Sequence, residues 1–154
     1  MRSLERDAAS LFCMGFPGSA PSSELRELVA RGVRSVILFS RNVGGEPADV
    51  AELTRSLKAL TPEPLGVFVD QEGGKVQRLR QGFTRIPAMR RLGERADPEL
   101  AFRTGLVLGR ELRAVGIDAT FAPVLDVDTN PNNPVIGERS LSPDPAVVAE
   151  LGVA

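Results

Sequence analysis

The sequence predicts an α/β fold in which four short buried strands alternate with four amphipathic helices on a parallel sheet. Four apolar runs recur along the 154 residues, at 11–16, 33–39, 65–69 and 117–124, and the segments between them carry helical periodicity. The run at 65–69, Leu-Gly-Val-Phe-Val, shows no polar alternation, which is the pattern of a strand covered on both faces. With 42% hydrophobic residues the chain can bury one core, so a single domain is expected over 1–154.

Each element has its own signal. After the first run, Ser22 or Ser23 caps a helix in which Leu25, Leu28 and Val29 share a face, and Gly32 stops it. The second run leads to a helix with Pro47 in its first turn, where Val50, Leu53, Leu57 and Leu60 recur at i, i+3, i+7 and i+10 over about four turns. The third helix begins at the Asp97 cap and Pro98. Its stripe of Ala101, Gly105, Leu108, Leu112 and Val115 ends at Gly116, and the small residues on it suit close packing on a sheet. Beyond the fourth run lies a polar loop, 128–134, and then the segment 135–140. Ser142 or Asp144 opens a last helix from Pro145 to Leu151, and the chain stops inside that element.

Composition excludes several classes of function. Nineteen basic and twenty acidic residues give a net charge of -1, so no overall field draws the chain to nucleic acid or an anionic membrane. The start is charged on both signs and its apolar stretch, 11–16, is too short for a secretory signal, while no run approaches the roughly 18 apolar residues of a membrane span. One cysteine, Cys13, forms no internal disulfide and no thiolate cluster, and a soluble protein of the cytoplasm is expected. The chain has no histidine, the commonest general acid/base and metal ligand near neutral pH. Ser40 therefore has no base to make it a nucleophile, and no cofactor or metal is called for.

Chemistry concentrates just after the third run, in Asp70-Gln71-Glu72-Gly73-Gly74-Lys75-Val76-Gln77-Arg78-Leu79. Function in parallel sheets gathers at the carboxyl ends of strands, and here the chain switches from apolar to Asp, Gln and Glu. Were the strand to continue, Asp70 and Glu72 would face one side roughly 6 to 7 Å apart, a spacing suited to a pair of catalytic carboxylates. Gly73 and Gly74 argue that the strand has already ended, which favours Asp70 as an acceptor for neutral hydroxyls. Gly-Gly-Lys without its preceding loop is no phosphate cradle, so Arg78 reads as a fork of donors for hydroxyls or a carboxylate. Arg139 lies in a Gly-Glu-Arg-Ser turn where Glu138 is available to pair with it. Asp126 and Asp128 follow the fourth run as a second pair of carboxylates at the same end of the sheet. Position alone allows a catalytic use, capping of the Asn-Pro turns is the more economical use of at least one, and neither is assigned.

Four segments taken together resemble glycoside hydrolase family 3, and within it the bacterial β-N-acetylglucosaminidases. They are Val36-Ile37-Leu38-Phe39-Ser40-Arg41-Asn42, Asp70 through Arg78, Phe121-Ala122-Pro123-Val124-Leu125-Asp126-Val127 and Pro134-Val135-Ile136-Gly137-Glu138-Arg139-Ser140. The resemblance implies a cytoplasmic (β/α)8 TIM barrel that removes terminal non-reducing β-N-acetylglucosamine from muropeptide fragments in peptidoglycan recycling. It implies that Asp70, Arg78 and Arg139 hold hydroxyls of the terminal sugar, with Lys75, where the family usually has Arg, in support. A barrel needs about 200 residues or more. The chain accordingly reads as the N-terminal part of one such domain, its first four βα units. The family's Lys-His sugar-binding pair, its histidine acid/base with an assisting aspartate and its aspartate nucleophile lie further along, so none of the catalytic residues is expected here.

Two other readings stay open. One is a half-barrel that binds the sugar and turns nothing over. The other is an open sheet that binds a nucleotide, although no strand is followed by Gly-x-Gly-x-x-Gly. A half-barrel also leaves edge strands and apolar surface uncovered, so self-association is expected of the isolated chain.

Overall fold

The computed structural model describes residues 3–154, and in them strands and helices alternate around one parallel sheet. In chain order the elements are α1 (Leu4–Ser10), β1 (Cys13–Met14), α2 (Ser23–Arg31), β2 (Ser35–Leu38), α3 (Pro47–Lys58), β3 (Gly66–Val69), β4 (Gln71–Gly73), β5 (Val76–Gln77), α4 (Arg90–Gly93), α5 (Pro98–Ala114), β6 (Ala119–Thr120) and α6 (Pro145–Val153). A single 3-10 turn, Gly137–Arg139, lies before α6. The sheet runs β1-β2-β3-β6, every pair parallel, with Val36 opposite Val67 and Val69 opposite Thr120. β4 and β5 form a separate antiparallel hairpin.

The helices begin where the sequence provides acceptors. Ser22 Oγ accepts from the Leu25 N–H at 3.2 Å and the Asp97 carboxylate from the Leu100 N–H at 3.1 Å. Asp144 accepts from the Ala146 N–H at 2.8 Å. At the start of α3, Glu46 and Asp49 cap each other's backbone ahead of Pro47. Gly32 ends α2 at φ 124°, a conformation open to glycine.

The core shows how the sheet is covered. Val36, Leu38, Val67 and Val69 are fully buried and share one cluster with Leu25 and Val29 of α2, Leu53 and Leu57 of α3, and Leu112 of α5. Each such side chain contributes about 1.5–3 kcal/mol through burial. Their neighbours Ile37 and Phe68 point to the opposite face and are only half-buried, with Phe68 stacked on Phe121 at 5.6 Å between ring centroids. The expectation of two fully covered faces is thus met on the helical face alone.

Other differences have local causes. The first and fourth strands are two residues long, not six to eight, because each lies at an edge of the sheet with one neighbour. Leu11 and Phe12 are exposed, and Pro123 has no N–H to extend a ladder. α1, α4 and the β4–β5 hairpin carry no long periodic run and were not expected. Gly105 does not pack on the sheet: it is exposed, and a Cβ there would meet nothing within 4 Å.

Candidate functional site

β3 ends at Val69, and Asp70 is the first residue beyond it, so the strand does not carry Asp70 and Glu72 onward as a pair. The chain turns directly into the hairpin. Gly73 at φ 100° and Gly74 at φ 55° make that turn, and a Cβ on Gly73 would sit 2.6 Å from the Pro87 carbonyl oxygen. The segment returning from the hairpin is held by two buried amides. Gln71 Nε2 donates to the Leu79 carbonyl at 2.9 Å while its Oε1 accepts from the Leu79 N–H at 3.0 Å. Gln77 Nε2 donates to the carbonyls of Leu79 and Thr84, and its Oε1 accepts from the Ile86 N–H. The Gln71 N–H donates to Thr120 Oγ1 at 3.1 Å, which ties the hairpin to β6.

This frame brings Arg78 back to Asp70. Arg78 Nη2 lies 3.2 Å from Asp70 Oδ2, with the two side chains about one-quarter exposed. Asp70 Oδ1 accepts no hydrogen bond from the described residues, and Arg78 Nε is buried without a partner. The ion pair thus leaves one Asp70 oxygen with spare lone pairs on a side chain that is partly exposed, which suits a hydroxyl that donates to it. Lys75, at the exposed tip of the hairpin, belongs to neither pair.

Arg139 reaches the same place from a different segment. Its Nε and Nη2 donate to the two oxygens of Glu72, each at 2.8 Å, in a fork-to-fork ion pair that spans 67 residues of sequence. Glu72, 5% exposed, is therefore its partner in place of the expected Glu138, which is exposed. The adjacent position lost because a buried carboxylate needs the arginine more than a solvated one does. Glu72 first, and then Asp126 and Asp70, hold the Arg139 guanidinium above its ordinary pKa, which puts Asp70 and Arg139 within electrostatic reach of each other. The three sequence-predicted residues are together at the carboxyl end of the sheet.

The loop bearing Arg139 is fixed by residues that the sequence did not single out. Arg90 Nη2 donates to Asp128 Oδ2 at 2.5 Å and to the Gly137 carbonyl at 3.1 Å. Ser140, fully buried, donates from Oγ to the Asp126 carbonyl at 2.6 Å. The expected capping by Asp126 or Asp128 is carried out by Asn130 and Asn133 through their own side chains. Glu72 and Arg90 could have been suspected only from burial, which spacing does not show. Among the described residues no three His, Cys, Asp or Glu side chains are grouped to hold a metal ion. No helix among them is long and apolar enough to cross a membrane.

Known proteins share this arrangement of chain. The chain is 51% identical over 128 residues to a β-hexosaminidase of Nitrosomonas eutropha, an alignment that takes in 79% of this chain and 36% of that relative. A family 3 β-N-acetylglucosaminidase from a Paenibacillus species superposes with a TM-score of 0.93 at 41% identity, over 99% of this chain and 30% of that one. The NagZ protein of Neisseria gonorrhoeae in complex with N-trifluoroacetyl-D-glucosamine superposes with a TM-score of 0.83 at 39% identity, over 90% of this chain and 43% of that one. The chain thus spans about a third of the length of the curated relative it matches. Residues 4–154 match the glycosyl hydrolase family 3 N-terminal domain, and the chain belongs to that family.

Proposed function

We propose that Asp70, Arg78 and Arg139 hold the hydroxyls of a terminal β-N-acetylglucosamine in a glycoside hydrolase of which this chain forms the N-terminal part. The observation that carries the reading is the partly exposed Asp70 carboxylate at one strand end, paired through Oδ2 with Arg78 while its Oδ1 accepts from none of the described residues. The relatives named β-hexosaminidase and the Neisseria protein's glucosamine ligand support the substrate class. Muropeptide fragments as substrates and the cytoplasm as the site of action belong to the same proposal.

The fold is read in the same way, with residues 1–154 as the first four βα units of one (β/α)8 barrel. The half-covered face bearing Ile37 and Phe68 supports it, because parallel sheets are ordinarily covered on both sides. The reaction proposed for the longer protein is a retaining displacement through a glycosyl-enzyme intermediate formed on a carboxylate. In this chain Asp70 and Glu72 each accept from an arginine, and no histidine is present to move a proton. The chain's share is to grip and orient the sugar.

Two measurements on the purified chain test this. Calorimetry with N-acetylglucosamine is expected to give a saturable heat in the millimolar range, lost in Asp70→Ala; no heat in the wild type would overturn the binding role. No leaving group is expected from a chromogenic β-N-acetylglucosaminide, and hydrolysis abolished by Asp70→Ala would restore a catalytic carboxylate. We propose as well that the isolated chain self-associates through its exposed apolar residues, among them Phe102, Phe121 and Leu125. Sedimentation of a monomer at all concentrations would contradict that.

A further inference from the structure

We infer that Glu72 is a positioning residue: it touches no sugar itself and fixes the Arg139 guanidinium so that the remaining N–H bonds face a ligand in one orientation. The inference rests on the sugar-binding reading of Arg139. It begins from a count of donors, since arginine has five N–H bonds in a planar fork. One on Nε and one on Nη2 go to Glu72, and one on Nη1 goes to the Val135 carbonyl at 3.3 Å. Two are left, one on each terminal nitrogen. A freely rotating arginine would point them anywhere.

The backbone under Arg139 is already fixed, by Arg90 on the Gly137 carbonyl and by the buried Ser140. The freedom that remains is in the side chain, and a bidentate carboxylate fixes both the position and the plane of a guanidinium. Glu72 is itself held in place, because it is buried between Gln71, which is clamped to Leu79, and the closely packed turn at Gly73. A purely structural ion pair has no need of a guanidinium that stays 22% exposed with two donors unspent at a strand end. A positioning pair does.

Glu72→Gln keeps the size of the side chain and offers one oxygen in place of two, while its amide repels the fork. Glu72→Asp keeps the charge and withdraws it by one carbon. The Arg139 Nε–H resonance reads the side chain directly and without any sugar present. It is expected as a sharp, slowly exchanging signal in the wild type, broadened or lost in Glu72→Gln, and partly recovered in Glu72→Asp. N-acetylglucosamine affinity is expected to fall about tenfold in Glu72→Gln and less in Glu72→Asp, with circular dichroism unchanged. An unchanged arginine resonance in Glu72→Gln overturns the inference, as does sugar affinity equal to the wild type in a variant whose arginine signal is lost. Failure of the wild type to bind the sugar is a different result: it strikes at the binding role of the site. The two failures are therefore told apart.

Discussion

Glycine does opposite things in two regions of this molecule. In the hairpin after β3, a Cβ on Gly73 would strike the Pro87 carbonyl oxygen, and one on Gly74 would lie 2.9 Å from the Ala88 Cα. On α5, Gly105 and Gly109 have nothing within 4 Å of where a Cβ would stand, and they line an apolar groove with Met89, Leu92 and Leu151. The hairpin corner is packed and paired from four separate stretches of this chain. The groove is lined mainly by helix backbone and apolar side chains, with Glu72, Thr104 and Thr120 also on its wall. The contrast teaches that the polar site is held by side chains that pair with one another, whereas the groove along α5 stands open among the described residues.

The comparison can be broken first at its strongest link. Arg139→Ala strands the Glu72 carboxylate at 5% exposure, and loss of one partner of a buried pair costs about 3–5 kcal/mol. Chemical denaturation measures it, and a loss under about 1 kcal/mol would mean that the corner is not held by this pair. Gly73→Ala comes next, at about 2–3 kcal/mol, since it combines a clash with backbone and a left-handed φ. A melting temperature equal to the wild type would show the hairpin to be looser than its packing indicates.

Asp70→Asn separates binding from stability. The Asp70–Arg78 pair is about one-quarter exposed, so its loss should change stability by no more than about 1 kcal/mol, while sugar affinity falls about tenfold. A large loss of stability with affinity retained would recast Asp70 as structural. The smallest effect belongs to the groove. Gly105→Ala should stabilise the chain by about 0.5–1 kcal/mol, because it removes helix-interior glycine where there is room for a methyl group. Destabilisation would reveal a neighbour on that face, for example a second copy of the chain.

The parts of the molecule that the sequence discloses share a physical cause. Ser22, Asp97, Pro98 and Gly32 act within a few residues of where they stand, so the helix boundaries follow from local chemistry. Val36, Leu38, Val67 and Val69 mark the sheet because burial selects them regardless of partner. Asp70 stands out as the first polar residue after a buried strand, and Arg78 follows it closely enough to return through one hairpin. What spacing does not disclose is long-range pairing. Glu138, adjacent to Arg139, was the visible partner, yet the bond goes to Glu72, and Arg90 crosses 38 residues to reach Asp128. The amides of Gln71 and Gln77 look like ordinary polar residues until their burial shows them holding the hairpin. The short edge strands were overestimated for the same reason, since the sequence shows an apolar run but not how many neighbours it has.

The most direct test of the account is an amide chemical-shift titration of the wild-type chain with N-acetylglucosamine. The account predicts saturable shifts in the millimolar range, concentrated at residues 70–79 and 137–140, with the groove along α5 silent. No saturable shift, or shifts centred on Leu108 and Leu151, would contradict it.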